Sequence, residues 1–155
     1  MKLNDPIPSL EGATCWLGGG PVTAEQLHGR PTLIHIWSSA CSECREQFAA
    51  LRKWEERFGP QGLRIVGVHA RSSPEQRDED AIALVREAGL EHPIAIDAPG
   101  APITQRFHAH FVPSYYLFDA EGRLRHRQAG YDADTGAQAA IERLLASAGS
   151  ASAPP

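Results

Sequence analysis

The sequence predicts an α/β sandwich in which a largely parallel sheet, closed by an antiparallel hairpin, is covered by helices. Three features carry this expectation. Pro31–Trp37 and Leu63–Val68 are β-branched and aromatic runs with few polar interior residues, the pattern of strands buried on both faces of a parallel sheet. Between them Phe48, Leu51, Trp54 and Phe58 recur at three- and four-residue steps, which predicts a helix over Ser42–Phe58 stopped by Gly59-Pro60. Further on, Asp119-Ala120-Glu121-Gly122 separates Ser114–Phe118 from Leu124–Gln128 as a hairpin turn separates two strands.

The other elements follow in chain order. Residues 1–12 are polar and proline-rich, an extended lead-in, and Ala13–Leu17 is a short strand ended by Gly18-Gly19-Gly20. Thr23 caps a helical turn, with Gln26 three residues on. Ser73-Pro74 opens a polar stretch into a helix through Ile82, Leu84 and Val85, closed by Gly89. Pro93–Ile96 reads as a strand, Ile103–Phe107 as a short helix, and residues 135–147 as a last amphipathic helix on Ala140, Ile141, Leu144 and Leu145. No repeat or linker interrupts residues 1–147, so one domain is expected there, followed by a disordered Ala/Ser/Gly/Pro tail over 148–155.

With 155 residues, 42% of them hydrophobic, the chain is large enough to bury a core without metal or disulfide staples. Its net charge of −4, with acids and bases interspersed, offers no electrostatic footprint for nucleic acid or an anionic membrane. Asp5 and Pro6 fall where a signal peptide needs an apolar run, and no window approaches the roughly 18 apolar residues of a membrane span. The expected location is therefore the cytoplasm, where thiols are held reduced. Three cysteines are an odd count, against a framework of structural disulfides.

Two of the three are close together. Cys41-Ser42-Glu43-Cys44 lies where the first buried strand gives way to the long helix. A C-x-x-C pair at a helix start has both sulfurs on the first turn, where unpaired N–H groups and the helix dipole favour a thiolate on the first cysteine. Cys41 is then the exposed nucleophile, and Cys44, one turn in, resolves the mixed disulfide. Zinc binding would need two further ligands at matching spacing, and no second C-x-x-C exists. Haem attachment fails because Arg45 stands where a histidine is required. Metal binding and a structural pair stay open beside the redox reading.

Trp37-Ser38-Ser39-Ala40-Cys41-Ser42-Glu43-Cys44-Arg45, together with Phe111-Val112-Pro113-Ser114, resembles the active site of thioredoxin-like proteins of the TlpA/ResA group. The likeness runs from about Pro6 to about Leu145. Within that group Pro31–His35, Tyr115–Asp119 and Leu124-Arg125-His126 are most similar to its small cytosolic thiol-disulfide oxidoreductases. The resemblance implies a thioredoxin-like fold: a central mixed β-sheet flanked by helices, with extra N-terminal strands and an α/β insertion between Val68 and Phe111. It implies reduction of disulfide-containing protein substrates through Cys41, recharged by an unidentified electron donor such as a thioredoxin reductase-like system. No cofactor or metal is expected, and the protein is expected to be a monomer. By position Pro113 is the cis-proline beside the dithiol, with Val112 presenting its backbone to a substrate strand and Trp37 and Ala40 completing the binding surface.

Several positions depart from the group. His35, six residues before Cys41, stands where thioredoxin has a buried acid, and is either a proton relay for Cys44 or a core histidine. Gln47 is neutral where ResA-type proteins can carry an acid, and Ala49 replaces a helix-kinking proline, suggesting a straighter helix. Cys15 reads as an inert small hydrophobe, His108 and His110 as loop residues shaping the surface, and one of Tyr115 and Tyr116 as facing the core. Two rival functions remain. A peroxiredoxin-like peroxidase would use Ser38, three residues before Cys41, and a non-catalytic copper-binding or assembly module would use the thiols as soft ligands.

Overall fold

Six strands form one mixed sheet around the segment with the strongest strand signal. The computed structural model describes residues 1–71, 73, 75–130 and 133–152. Strand β1 (Ala13–Leu17) is followed by β2 (Thr32–Trp37), whose six residues are all buried. A helical segment α1 (Ser42–Glu46) and helix α2 (Phe48–Phe58) then lead to β3 (Arg64–His69). Next come α3 (Asp78–Ala88), β4 (Ile94–Asp97) and α4 (Pro102–Arg106). The chain ends with the β5 (Ser114–Phe118) and β6 (Leu124–Ala129) hairpin and α5 (Ala133–Ser152). The strand order is β1-β4-β3-β2-β5-β6. Strands β2, β3 and β4 run parallel, while β1, β5 and β6 pair antiparallel with their neighbours.

Alternation along β2 makes two cores. Leu33 and Trp37 face Leu51, Trp54 and Phe58 of α2 and Ile141 and Leu145 of α5. Ile34 and Ile36 face the opposite side, with Leu10, Leu27, Phe107 and Phe118. Each such side chain stabilises the fold by about 1.5–3 kcal/mol on burial, which is why β2 tolerates almost no polar residue. Local signals agree with this frame. Asp78, Glu79 and Asp80 crowd the first turn of α3, where the helix dipole favours acids, and Gly89 closes it in the left-handed region at φ 66°. Thr23 and Gln26 exchange the reciprocal bonds of a capping box around a single 3-10 turn.

Four expectations are corrected. The helix predicted over Ser42–Phe58 is divided at Gln47, whose N–H bonds back three residues to Cys44 at 3.2 Å. No proline is needed for the break, because the buried Gln47 side chain turns inward to accept the Tyr115 hydroxyl at 2.6 Å. At the N-terminus there is one strand, β1, and an isolated Pro6–Arg123 bridge rather than several strands, since Pro6 and Pro8 lack the N–H groups a ladder needs. Residues 148–152 continue α5 where a disordered tail is predicted. Alanine is the strongest helix former, and no proline comes before Pro154; residues 153–155 lie outside the described residues. Tyr115 and Tyr116 are both buried, one in each core.

The start of α4 rests on one buried carboxylate. Asp97 accepts from Ala98 N and Ile103 N at 3.0 and 3.2 Å through Oδ1, and from Thr104 N and Oγ1 at 2.9 and 2.8 Å through Oδ2. Replacing it by Ala leaves these buried donors unmatched, so Asp97→Ala is expected to destabilise the fold by about 2–4 kcal/mol. The urea midpoint measures this, and Asp97→Asn should lose less.

Candidate active site

The redox pair sits where β2 hands over to α1. Cys41 is the N-cap of α1, with extended backbone (φ −103°, ψ 112°), and its Sγ accepts the Cys44 N–H at 3.1 Å. Cys41 is half-buried and Cys44 has no exposed surface; both are free thiols. On the other side, Cys41 Sγ lies 3.9 Å from the Val112 carbonyl oxygen, and the Val112–Pro113 peptide bond is cis. The loop before β5 and the start of α1, 71 positions apart, therefore meet at one sulfur.

Burial governs the electrostatics. It pushes the Cys44 thiol far up, helped by the Cys41 thiol and by the nearby charge of Glu43. His35 has no exposed surface; burial first, and the nearby His92 imidazole second, pull it down to about 3. Its ring stacks on Tyr115 at 4.7 Å, and among the described residues no hydrogen bond joins it to either sulfur. Gln47, through Tyr115, belongs to the same buried stack.

The predicted binding surface is partly corrected. Ala40, next to Cys41 in the chain, is exposed, and the half-buried Val112 brings its carbonyl to Cys41 Sγ. Trp37 has no exposed surface and packs edge-on against Phe48 and His69, which makes it core rather than substrate-binding. The neighbouring apolar group that does face solvent is Phe111, 71% exposed. Cys15 is half-buried against the α2 side of the sheet, and His108 and His110 are exposed. Among the described residues no three His, Cys, Asp or Glu side chains are placed to hold a metal. No helix is long and apolar enough to cross a membrane.

Two residues around the dithiol had no signal of their own in the sequence. His69, the last residue of β3, accepts the Ser39 N–H through Nε2 at 3.1 Å. Gln76 donates to the hydroxyls of Ser38 and Ser39 at 2.9 and 3.1 Å. Both reach the turn before Cys41 from more than 29 positions away, so only a histidine following the apolar run Ile65–Val68 could have drawn attention.

The Redoxin family model matches residues 2–145. The chain belongs to the Redoxin family. Within Redoxin relatives, it is 39% identical over 151 residues to the thiol-disulfide oxidoreductase YkuV of Bacillus subtilis, covering 94% of this chain and 98% of that protein. It is 32% identical over 130 residues to protein DipZ of Mycobacterium tuberculosis, of whose length it spans 18%. The solution structure of a thioredoxin-like protein in its oxidised form superposes with a TM-score of 0.85 at 36% identity, over 95% of this chain and 99% of that one. A DsbE-type structure from Chlorobium tepidum, at 18% identity and a TM-score of 0.79, shares the fold. The Redoxin chain described here thus has a thioredoxin-like fold, a six-stranded mixed sheet flanked by helices.

The buried imidazoles make stability depend on pH. His35 and His69 titrate near 6.5 when unfolded, but at about 3 and about 4 in the fold. The unfolded chain therefore binds more protons between those values. Their contribution is complete above about pH 6.5 and is lost as pH falls towards 4 and 3, by up to about 1.4 kcal/mol per unit for each group. Urea unfolding at stepped pH should show this slope, and His35→Phe should remove about half of it.

Proposed function

We propose that this thiol-disulfide oxidoreductase reduces protein disulfides through Cys41 as nucleophile and Cys44 as resolving thiol. The observation that carries the assignment is the asymmetry of the pair. Cys41 is half-buried at the N-cap of α1 and its Sγ accepts the Cys44 N–H, whereas Cys44 is fully buried one turn inside α1. Its high-lying thiol keeps its proton until a mixed disulfide has formed.

The Cys41 thiolate attacks one sulfur of the substrate disulfide. A Cys41–substrate bond forms as the substrate bond breaks, and the displaced substrate sulfur leaves as a thiolate and takes a proton. Cys44 then attacks Cys41 Sγ as its proton passes to the second substrate sulfur. That sulfur departs as a thiol, a Cys41–Cys44 disulfide remains, and two electrons have passed to the substrate. The Val112 carbonyl, beside Cys41 and ahead of Pro113, is proposed to bond the backbone of an extended substrate segment; its closeness to Cys41 Sγ and the small, exposed Ala40 support this.

For His35 the geometry supports the core reading. Its ring stacks on Tyr115 and is held neutral, and no hydrogen bond leads from it to a sulfur. The physiological direction is proposed to be reductive, in the cytoplasm, as part of thiol homeostasis, with a separate dithiol donor restoring the enzyme. The unpaired, half-buried Cys15 supports a reducing compartment, which spares it from cross-linking. Residues 1–147 are proposed to act as one domain and as a monomer.

Reduction of insulin disulfides by dithiothreitol tests the assignment. Cys41→Ser should fall to the uncatalysed rate. Cys44→Ser should lose turnover while accumulating a mixed disulfide on Cys41, visible by mass spectrometry. A mixed disulfide carried instead by Cys44 in the Cys41→Ser protein would reverse the roles.

A further inference from the structure

We propose that His69 is a positioning residue for the dithiol, accepting the Ser39 backbone N–H and, together with Gln76, holding the Ser38–Ala40 turn so that Cys41 stays in attacking position. The inference rests on the assignment of Cys41 as nucleophile and adds the part of the molecule that aims it.

Within the turn, Ser38 Oγ accepts the Ala40 N–H at 3.3 Å, and the Ser38 carbonyl accepts the Cys41 N–H at 3.1 Å. Further bonds reach it from distant parts of the chain. His69 Nε2 takes the Ser39 N–H at 3.1 Å and lies 3.2 Å from Ser39 Oγ. Gln76 Nε2 bridges both serine hydroxyls. Where β2 ends, Ala70 N donates to the Trp37 carbonyl at 2.7 Å, so β2 and β3 stay registered to the residue before the turn.

His69 suits the task for chemical reasons. Accepting through Nε2 assigns its proton to Nδ1, and the buried ring packs edge-on against Trp37 at 4.8 Å. Burial lowers its pKa to about 4, against the pull of Asp78 and Asp97 and with that of Arg71, so the acceptor nitrogen stays free of a proton at neutral pH. Gln76 is held in turn. Its backbone carbonyl accepts from Arg71 Nη1 at 2.9 Å, Arg71 pairs with Asp78, and Asp78 Oδ2 accepts from Thr14 Oγ1 at 3.1 Å. Gln76, Arg71 and Asp78 thus link the nucleophile's turn to Thr14 of β1.

Displacing a nucleophile by a fraction of an ångström costs rate before it costs stability. The test is the single-turnover reaction of the reduced protein with a small aromatic disulfide at neutral pH, with thermal unfolding run on each variant. His69→Phe, which fills the space without an acceptor, should react about tenfold more slowly. His69→Gln, whose Oε1 can replace Nε2, should stay within about twofold of wild type. Gln76→Ala should slow the reaction about threefold with little change in melting. A His69→Phe protein as fast as wild type, or a His69→Gln protein as slow as His69→Phe, overturns the proposal. If His69→Phe does not fold, His69→Gln and Gln76→Ala decide it: a Gln76→Ala rate equal to wild type overturns the clamp. Cys41→Ser in the same assay separates the two levels. A wild-type rate there overturns the nucleophile assignment itself rather than the role of His69.

Discussion

Everything at the dithiol depends on β2 being buried on both faces and ending one turn short of a helix. A strand clamped between two cores and between parallel β3 and antiparallel β5 cannot shift along its axis without exposing Ile34 and Ile36 on one side or Leu33 and Trp37 on the other. Its C-terminal end is therefore a fixed point. From it, a three-residue turn delivers Cys41 to the Cys44 N–H. The chemistry is local, but the precision is borrowed from the sheet.

Burial separates two thiols that are nearly neighbours in sequence. The same hydrophobic surroundings that stabilise the α2 side of the sheet enclose Cys44, while Cys41, one helical turn away, stays in contact with solvent. Burial is the largest cause of the inequality, and the neighbouring Cys41 thiol and Glu43 charge act in the same direction. The histidines on that side of the sheet follow the same rule, kept neutral because water is excluded from them.

Much of this was legible in the sequence, for identifiable reasons. Strands such as Thr32–Trp37 announce themselves because two-sided burial leaves a run that is apolar but for Thr32 and His35, and the C-x-x-C pair announces itself because its chemistry requires that spacing. What escaped was set by partners distant in the chain. The break at Gln47 answers to Tyr115, 68 positions on, and propensity alone has no means of seeing that bond. Trp37 stands beside the motif in sequence, yet its place in the strand's alternation turns it into the core. His69 and Gln76 reach Ser38 and Ser39 across 30 to 38 positions, and neither type of residue advertises a hydrogen bond to a backbone turn. The last turn of α5 was missed for the opposite reason, since a composition that resembles a linker is also rich in the strongest helix former.

Dividing the helix at Gln47 also decouples its two halves mechanically. An uninterrupted helix is a stiff rod, and a displacement at its tip is felt along its length. Here the rod is cut after five residues, and the longer piece is moored to the sheet by Leu51, Trp54 and Phe58. Both sulfurs that join and part with each turnover lie on the near side of that cut, in the short segment and its cap. Their chemistry spans a single turn, and the longer piece contributes no atom to it.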